Sequence, residues 1–85
     1  MKNQIESLGK QIKELEKVKE VLIVAIPREE ATYKFYQDLA KSTKHEGTRR
    51  MFIKVANQKL SHKGMLEMEL KKIQHEIDKL KSMGK

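Results

Sequence analysis

The sequence predicts an all-α fold, a long antiparallel helical hairpin that dimerises into a four-helix bundle. Apolar residues recur at steps of three and four along nearly all of the 85 residues, which is the spacing of an amphipathic helix. A polar segment with one glycine, residues 41–48, interrupts this spacing and indicates a chain reversal. The sequence lacks sustained alternation with a period of two, so no strand is predicted.

The first helix is predicted over residues 1–43. Its stripe, the row of residues expected to face the second helix, is Ile5, Leu8, Ile12, Leu15, Lys19, Leu22, Ile26, Glu29, Tyr33, Tyr36 and Ala40. Pro27 lies inside this helix, where a proline loses a hydrogen bond and clashes with the preceding turn at a cost of about 3 kcal/mol. Either a kink or a break into two helices is therefore predicted at Pro27. The unchanged phase of the stripe favours the kink.

The loop is predicted over residues 44–48 and the second helix over residues 49–82. The stripe of this helix is Phe52, Val55, Lys59, His62, Leu66, Leu70, Ile73, Ile77 and Leu80. Two consecutive steps of four, from His62 to Leu70, predict a local stutter in the heptad pattern. Because a short loop joins the two helices, we expect them to pack antiparallel in a single domain of residues 1–85. Each helix is more broadly apolar than one neighbour can cover, so a homodimer is expected.

The composition excludes several classes of function. The chain has no cysteine, which rules out disulfides, iron–sulfur clusters and thiol catalysis. Its longest apolar run, residues 21–26, is too short to span a membrane, so no membrane association is expected. Polar residues throughout the first ten positions are untypical of a secretory signal. The expected location is the cytoplasm.

Three polar residues, Glu29, Lys59 and His62, interrupt the two stripes. With the loop centred between residues 45 and 46, Glu29 and His62 are expected at the same height, and Lys59 one turn away. Burying a charge costs several kcal/mol unless the charge is paired or bound to a metal. The sequence therefore predicts a polar cluster inside the bundle, present twice in a homodimer.

Two segments around this cluster carry the features of a known family. In the first helix, Glu29 lies seven residues before the tyrosine of Phe-Tyr-Gln-Asp-Leu-Ala at 35–40. In the second helix, the residues concerned are Phe52, Ala56, Lys59, His62 and Leu66. Residues 21–70 resemble the rubrerythrin-type ferritin-like family, in which a Glu-x-x-His motif has the spacing of Lys59 and His62. The resemblance implies a ferritin-like bundle with Glu29 and His62 as metal ligands for iron or manganese.

Lys59 departs from this pattern, because it stands where the family motif has a glutamate. A complete site balances two divalent ions with four carboxylates. Here two Glu29 and two Lys59 of a dimer would balance each other without a metal. The favoured hypothesis is a degenerate bundle with weak or no metal binding, no cofactor, and a structural or partner-binding role. The sequence does not decide whether the protein is an enzyme, and this hypothesis favours a protein that is not.

Three alternatives stay open. Two Glu29 and two His62 suit a residual mononuclear site for iron, manganese or zinc, with redox or storage activity. In another register, these residues face water. The net charge of +7, with Arg49, Arg50 and Lys54 close together, is also compatible with a basic module that binds nucleic acid nonspecifically. The sequence identifies no nucleic-acid contact residue.

Overall fold

The computed structural model of the protein describes residues 2–84. Two long helices, α1 (Lys2–Ser42) and α2 (Glu46–Met83), are joined by a turn at residues 43–45. They pack side by side in a molecule 66 Å long and 14 by 13 Å in cross-section. The predicted all-α hairpin is thus confirmed, and residues 2–84 contain no strand. Over the same residues, neither helix has an apolar stretch of the length that crossing a membrane requires.

The first helix continues through Pro27 as a single element of 41 residues, so the predicted alternative of a break is wrong. Pro27 lies on an exposed side of α1, where water can reach the carbonyl group that loses its hydrogen bond to the missing amide. Leu22 and Ala40, on either side of the proline, are both buried against α2. Packing along the whole hairpin therefore outweighs the local cost of the proline.

The second helix begins at Glu46, three residues before the predicted start, because His45 caps it. His45 has an extended backbone (φ −76°, ψ 118°), and its Nδ1 accepts a hydrogen bond from the Thr48 amide at 3.2 Å. This bond satisfies one of the amides that the first turn of a helix leaves unpaired. Glu46 adds a negative charge at the positive end of the helix.

The core is a narrow row of side chains between the two helices. Its buried apolar members are Leu22, Ala40, Ala56, Ile73, Ile77 and Leu80. Ile77 is the most buried, with 1% of its surface exposed, and it packs in one cluster with Leu22 and Ile73. Most of the hydrophobic contact therefore lies in the half of the hairpin that is distant from the turn.

The stripe of α2 differs from the predicted one at two positions. Ala56 is buried and Val55 only half-buried, while Lys63 is half-buried and His62 exposed. With Ala56 and Lys63 in place of Val55 and His62, the steps alternate regularly between four and three, and the predicted stutter disappears. A regular heptad keeps one face of α2 against α1 without local unwinding of the helix pair.

Candidate functional site

Three side chains meet across the hairpin about a third of the way from the turn to its open end: Glu29 of α1 with Lys59 and His62 of α2, here called the Glu29 cluster. The Oε2 atom of Glu29 lies 3.8 Å from Nζ of Lys59 and 3.9 Å from Nδ1 of His62. Both separations are longer than hydrogen bonds. This oxygen is buried, and it has no hydrogen-bond partner within residues 2–84. The structure therefore brings the three sequence-predicted residues together, with one carboxylate oxygen left unsatisfied.

In the single hairpin the Glu29 cluster is only partly buried. The side chains of Glu29 and Lys59 are 23% and 32% exposed, but that of His62 is 60% exposed. The reason is that Lys63, and not His62, occupies the position of the α2 stripe that faces α1. Consecutive residues of a helix project about 100° apart, so His62 points away from this position. His62 is therefore at the edge of the contact between the helices.

The turn is centred on Lys44, whereas the prediction put its centre between residues 45 and 46. Glu29 and Lys59 are equally distant from Lys44. The contacts between the helices involve His62 equally, because it approaches the same Glu29 oxygen at 3.9 Å and its neighbour Lys63 contacts Glu30. Glu29 thus lies opposite the turn of α2 that runs from Lys59 to His62.

A second group of charges lies at the same level of the hairpin but on its other face, and it was not predicted from the sequence. Nζ of Lys63 is 2.6 Å from Oε2 of Glu30, and Nζ of Lys34 is 3.6 Å from Oε1 of Glu30. The hydrogen bond from Lys63 lowers the pKa of Glu30, and the same bond raises the pKa of Lys63. A regular heptad through Lys59 and Leu66 is the sequence signal that points to Lys63.

The two charged groups lie on opposite faces of the hairpin, that is, on the two sides of the plane that contains both helix axes. Consecutive residues of a helix project about 100° apart, so Glu30 projects to the other side of this plane from Glu29, and Lys63 to the other side from His62. By helical spacing, the cluster face includes Val18, Val21, Ala25, Glu29, Phe35, Tyr36, Met51, Phe52, Val55, Lys59, His62 and Met65, together with the charged residues Arg28, Glu69 and Lys72. The ion-pair face includes Glu16, Ile23, Glu30, Lys34, Gln37, Lys41, Arg49, Ile53, Leu60, Lys63 and Lys81. The cluster face is the more apolar, and it exposes more than half of Val21, Phe35, Met51 and Met65.

A di-metal centre does not fit the Glu29 cluster. No group of three or more His, Asp or Glu side chains within residues 2–84 is placed to hold a metal ion. The Lys59 ammonium group also stands 3.8 Å from the carboxylate that a metal would need. Two like unit charges about 4 Å apart repel each other by about 4 kcal/mol at an effective dielectric of 20. The repulsion between the ammonium group and a divalent ion at this distance is twice as large.

The fold and this cluster define a two-helix protein with a polar centre flanked by apolar residues. The model of the rubrerythrin family matches residues 20–85, which is most of the chain. The protein therefore belongs to the rubrerythrin family, and the resemblance predicted over residues 21–70 is confirmed. No curated protein and no solved structure matches it.

Proposed function

We propose that this protein is a degenerate member of the rubrerythrin family, a homodimeric helical bundle that serves as a structural or partner-binding module without di-iron chemistry. The observation that carries the proposal is the 3.8 Å separation between Lys59 Nζ and Glu29 Oε2. Lys59 stands where the resemblance puts the glutamate of the metal-binding motif. Its ammonium group supplies next to Glu29 the positive charge that a metal ion would otherwise supply.

The exposed surface of the hairpin supports a dimer. Its accessible surface is 6827 Å², whereas a folded monomer of 10.0 kDa exposes about 5,200 Å². The excess of about 1,600 Å² per chain equals the total buried in a standard interface between two proteins. A second hairpin is a partner of the right length to cover it along all 66 Å of the molecule.

The cluster face is the one that we expect the second copy to cover. It combines exposed apolar side chains with Glu29, whose buried Oε2 lacks a hydrogen-bond donor within the described residues. A two-fold axis near Glu29 brings two carboxylates and two Lys59 ammonium groups together, and their charges cancel. The ion-pair face is less suited, because it carries solvated ion pairs such as Lys81 with Glu16.

Metal binding is the second candidate function, and the position of His62 favours it. Its Nδ1 lies 3.9 Å from Glu29 Oε2, so two hairpins would supply two carboxylates and two imidazoles for one ion. The positive charge of Lys59 would repel a metal ion bound in this arrangement. The two candidates therefore differ in whether Glu29 is balanced by lysine or by a metal.

Metal content and solution mass, measured together, distinguish the two candidates. We expect wild-type protein to have twice the mass of the 10.0 kDa chain. After reconstitution with Fe(II), Mn(II) or Zn(II) and removal of free metal, we expect no more metal than in the matched variant His62→Ala. Stoichiometric metal in the wild type that His62→Ala loses would favour the metal site, and a monomeric mass would refute the bundle.

A further inference from the structure

A groove of about 500 Å³ opens on the ion-pair face, close to the turn between the helices. Its floor is made by Ala40 and Ala56, which are 6% and 2% exposed, and Ile53 adds a third apolar side chain. The small side chains of the two alanines leave room between α1 and α2 at this point. The volume falls within the range of sites that bind small molecules.

The polar lining of this groove has one sign of charge. Lys41 and Arg49 line it together with the amides of Gln37 and Asn57, and no carboxylate of the described residues does. Three other grooves along residues 2–84 each have carboxylates in their lining, among them Glu14 and Glu76, Glu20 and Glu29, or Glu16 and Glu20. The groove near the turn thus combines two cations with an apolar floor.

Arg49 is available to a ligand despite its contact with Glu46. The two groups are 3.6 Å apart, and their side chains are 44% and 64% exposed. An ion pair this exposed contributes little to stability, so the guanidinium group can exchange it for a stronger bond. A carboxylate accepts two parallel hydrogen bonds from a guanidinium group, an arrangement that a contact of 3.6 Å does not provide.

We propose that this groove binds a small amphiphilic carboxylate, a carboxylate group attached to a short hydrocarbon chain. The carboxylate pairs with Lys41 and Arg49, and the hydrocarbon chain covers Ala40, Ile53 and Ala56. Both parts are needed, because an exposed charge pair alone is weak and the apolar floor is small. Since the groove lies on the ion-pair face, it stays open when a second copy covers the cluster face, and the proposal is independent of the dimer.

Nuclear magnetic resonance of the ¹⁵N-labelled full chain, titrated with octanoate, tests the proposal. We expect saturable shifts at the amides of residues 37–41 and 49–57, with much weaker effects from acetate and from octanol. The double variant Lys41→Gln/Arg49→Gln should bind octanoate about tenfold more weakly. The matched control Arg28→Gln/Lys72→Gln removes the same charge on other surfaces and should bind like the wild type.

Three results would overturn the proposal. One is the absence of saturable shifts at millimolar octanoate. Another is equal binding of octanol and octanoate with shifts at Val21, Phe35 and Met65, which would indicate adsorption to the cluster face. The third is unchanged affinity in the Lys41→Gln/Arg49→Gln variant, whose folding is checked by its circular dichroism.

Discussion

Lys59 reaches from α2 to within 3.8 Å of the Glu29 carboxylate on α1, and the two residues are equally distant from the centre of the turn. The pair is half-buried in the hairpin, and a second copy on the cluster face would bury it further. A charge that is buried without its partner destabilises a protein more than the intact pair stabilises it. The stability of the site therefore depends on the pair and not on either residue alone.

The first prediction concerns this coupling. Lys59→Met leaves Glu29 uncompensated, and we expect it to lower the free energy of unfolding by about 1–3 kcal/mol. The double variant Glu29→Gln/Lys59→Met removes both charges and should recover most of this loss. Urea unfolding of the wild type, both single variants and the double variant measures the coupling energy. Strictly additive effects would show that the two side chains do not interact.

The second prediction compares two exposed apolar residues of α1. Val21 is on the cluster face and Ile23 is on the ion-pair face, and they are 65% and 49% exposed in the hairpin. We expect Val21→Glu to weaken the proposed dimer at least tenfold, because the substitution would bury an unpaired charge in the proposed interface. Ile23→Glu should leave the dimer intact. Sedimentation at several protein concentrations gives both dissociation constants, and the reverse order of effects would place the interface on the other face.

The third prediction concerns the pH dependence of the ion-pair face. The Lys63 ammonium group lowers the pKa of Glu30 below its ordinary value of 4.5. A lowered pKa in the folded state means that the pair stabilises the fold above pH 4.5 and that this stabilisation is lost as the pH falls through the folded-state pKa. We expect Lys63→Gln to raise the pKa of Glu30, measured by carboxyl ¹³C titration. An unchanged pKa would contradict the 2.6 Å contact between the two groups.

The fourth prediction concerns Pro27, which the helix accommodates at an exposed position. Pro27→Ala restores a backbone amide and removes the ring from the preceding turn, so we expect the free energy of unfolding to rise by about 1–3 kcal/mol. Greater freedom of the unfolded chain offsets part of this gain. Arg28→Ala, one residue further on, is the matched control and should change stability by less than about 0.5 kcal/mol. A loss of stability in Pro27→Ala would mean that the proline shapes α1 in a way that the fold requires.

The helices were predictable because their core residues are large and regularly spaced. Leu22, Ile73, Ile77 and Leu80 are on the predicted stripes, and all four are buried. Ala56 was not placed in the predicted stripe, because alanine is a weak hydrophobic signal beside the larger Val55. The start of α2 was missed because histidine is not among the side chains that usually cap a helix.

The candidate site was predictable in part. The spacing of Glu29, Lys59 and His62 put them near one another, and the structure brings them together. The pairing of Glu30 with Lys63 was not predicted, because the predicted stripe of α2 ran through His62 and left Lys63 outside it. Lys63 occupies that position because its long side chain crosses the edge of the contact and reaches the Glu30 carboxylate.

The metal content of Lys59→Glu shows whether the lysine replaces a metal ion beside Glu29. The substitution gives two hairpins four carboxylates and two imidazoles, the donor set of a ferritin-like di-metal site. After reconstitution with Fe(II) or Mn(II), elemental analysis should find about one ion per chain in the variant and none above background in the wild type. Equal metal content in the two proteins would contradict the proposal that Lys59 stands in place of a metal.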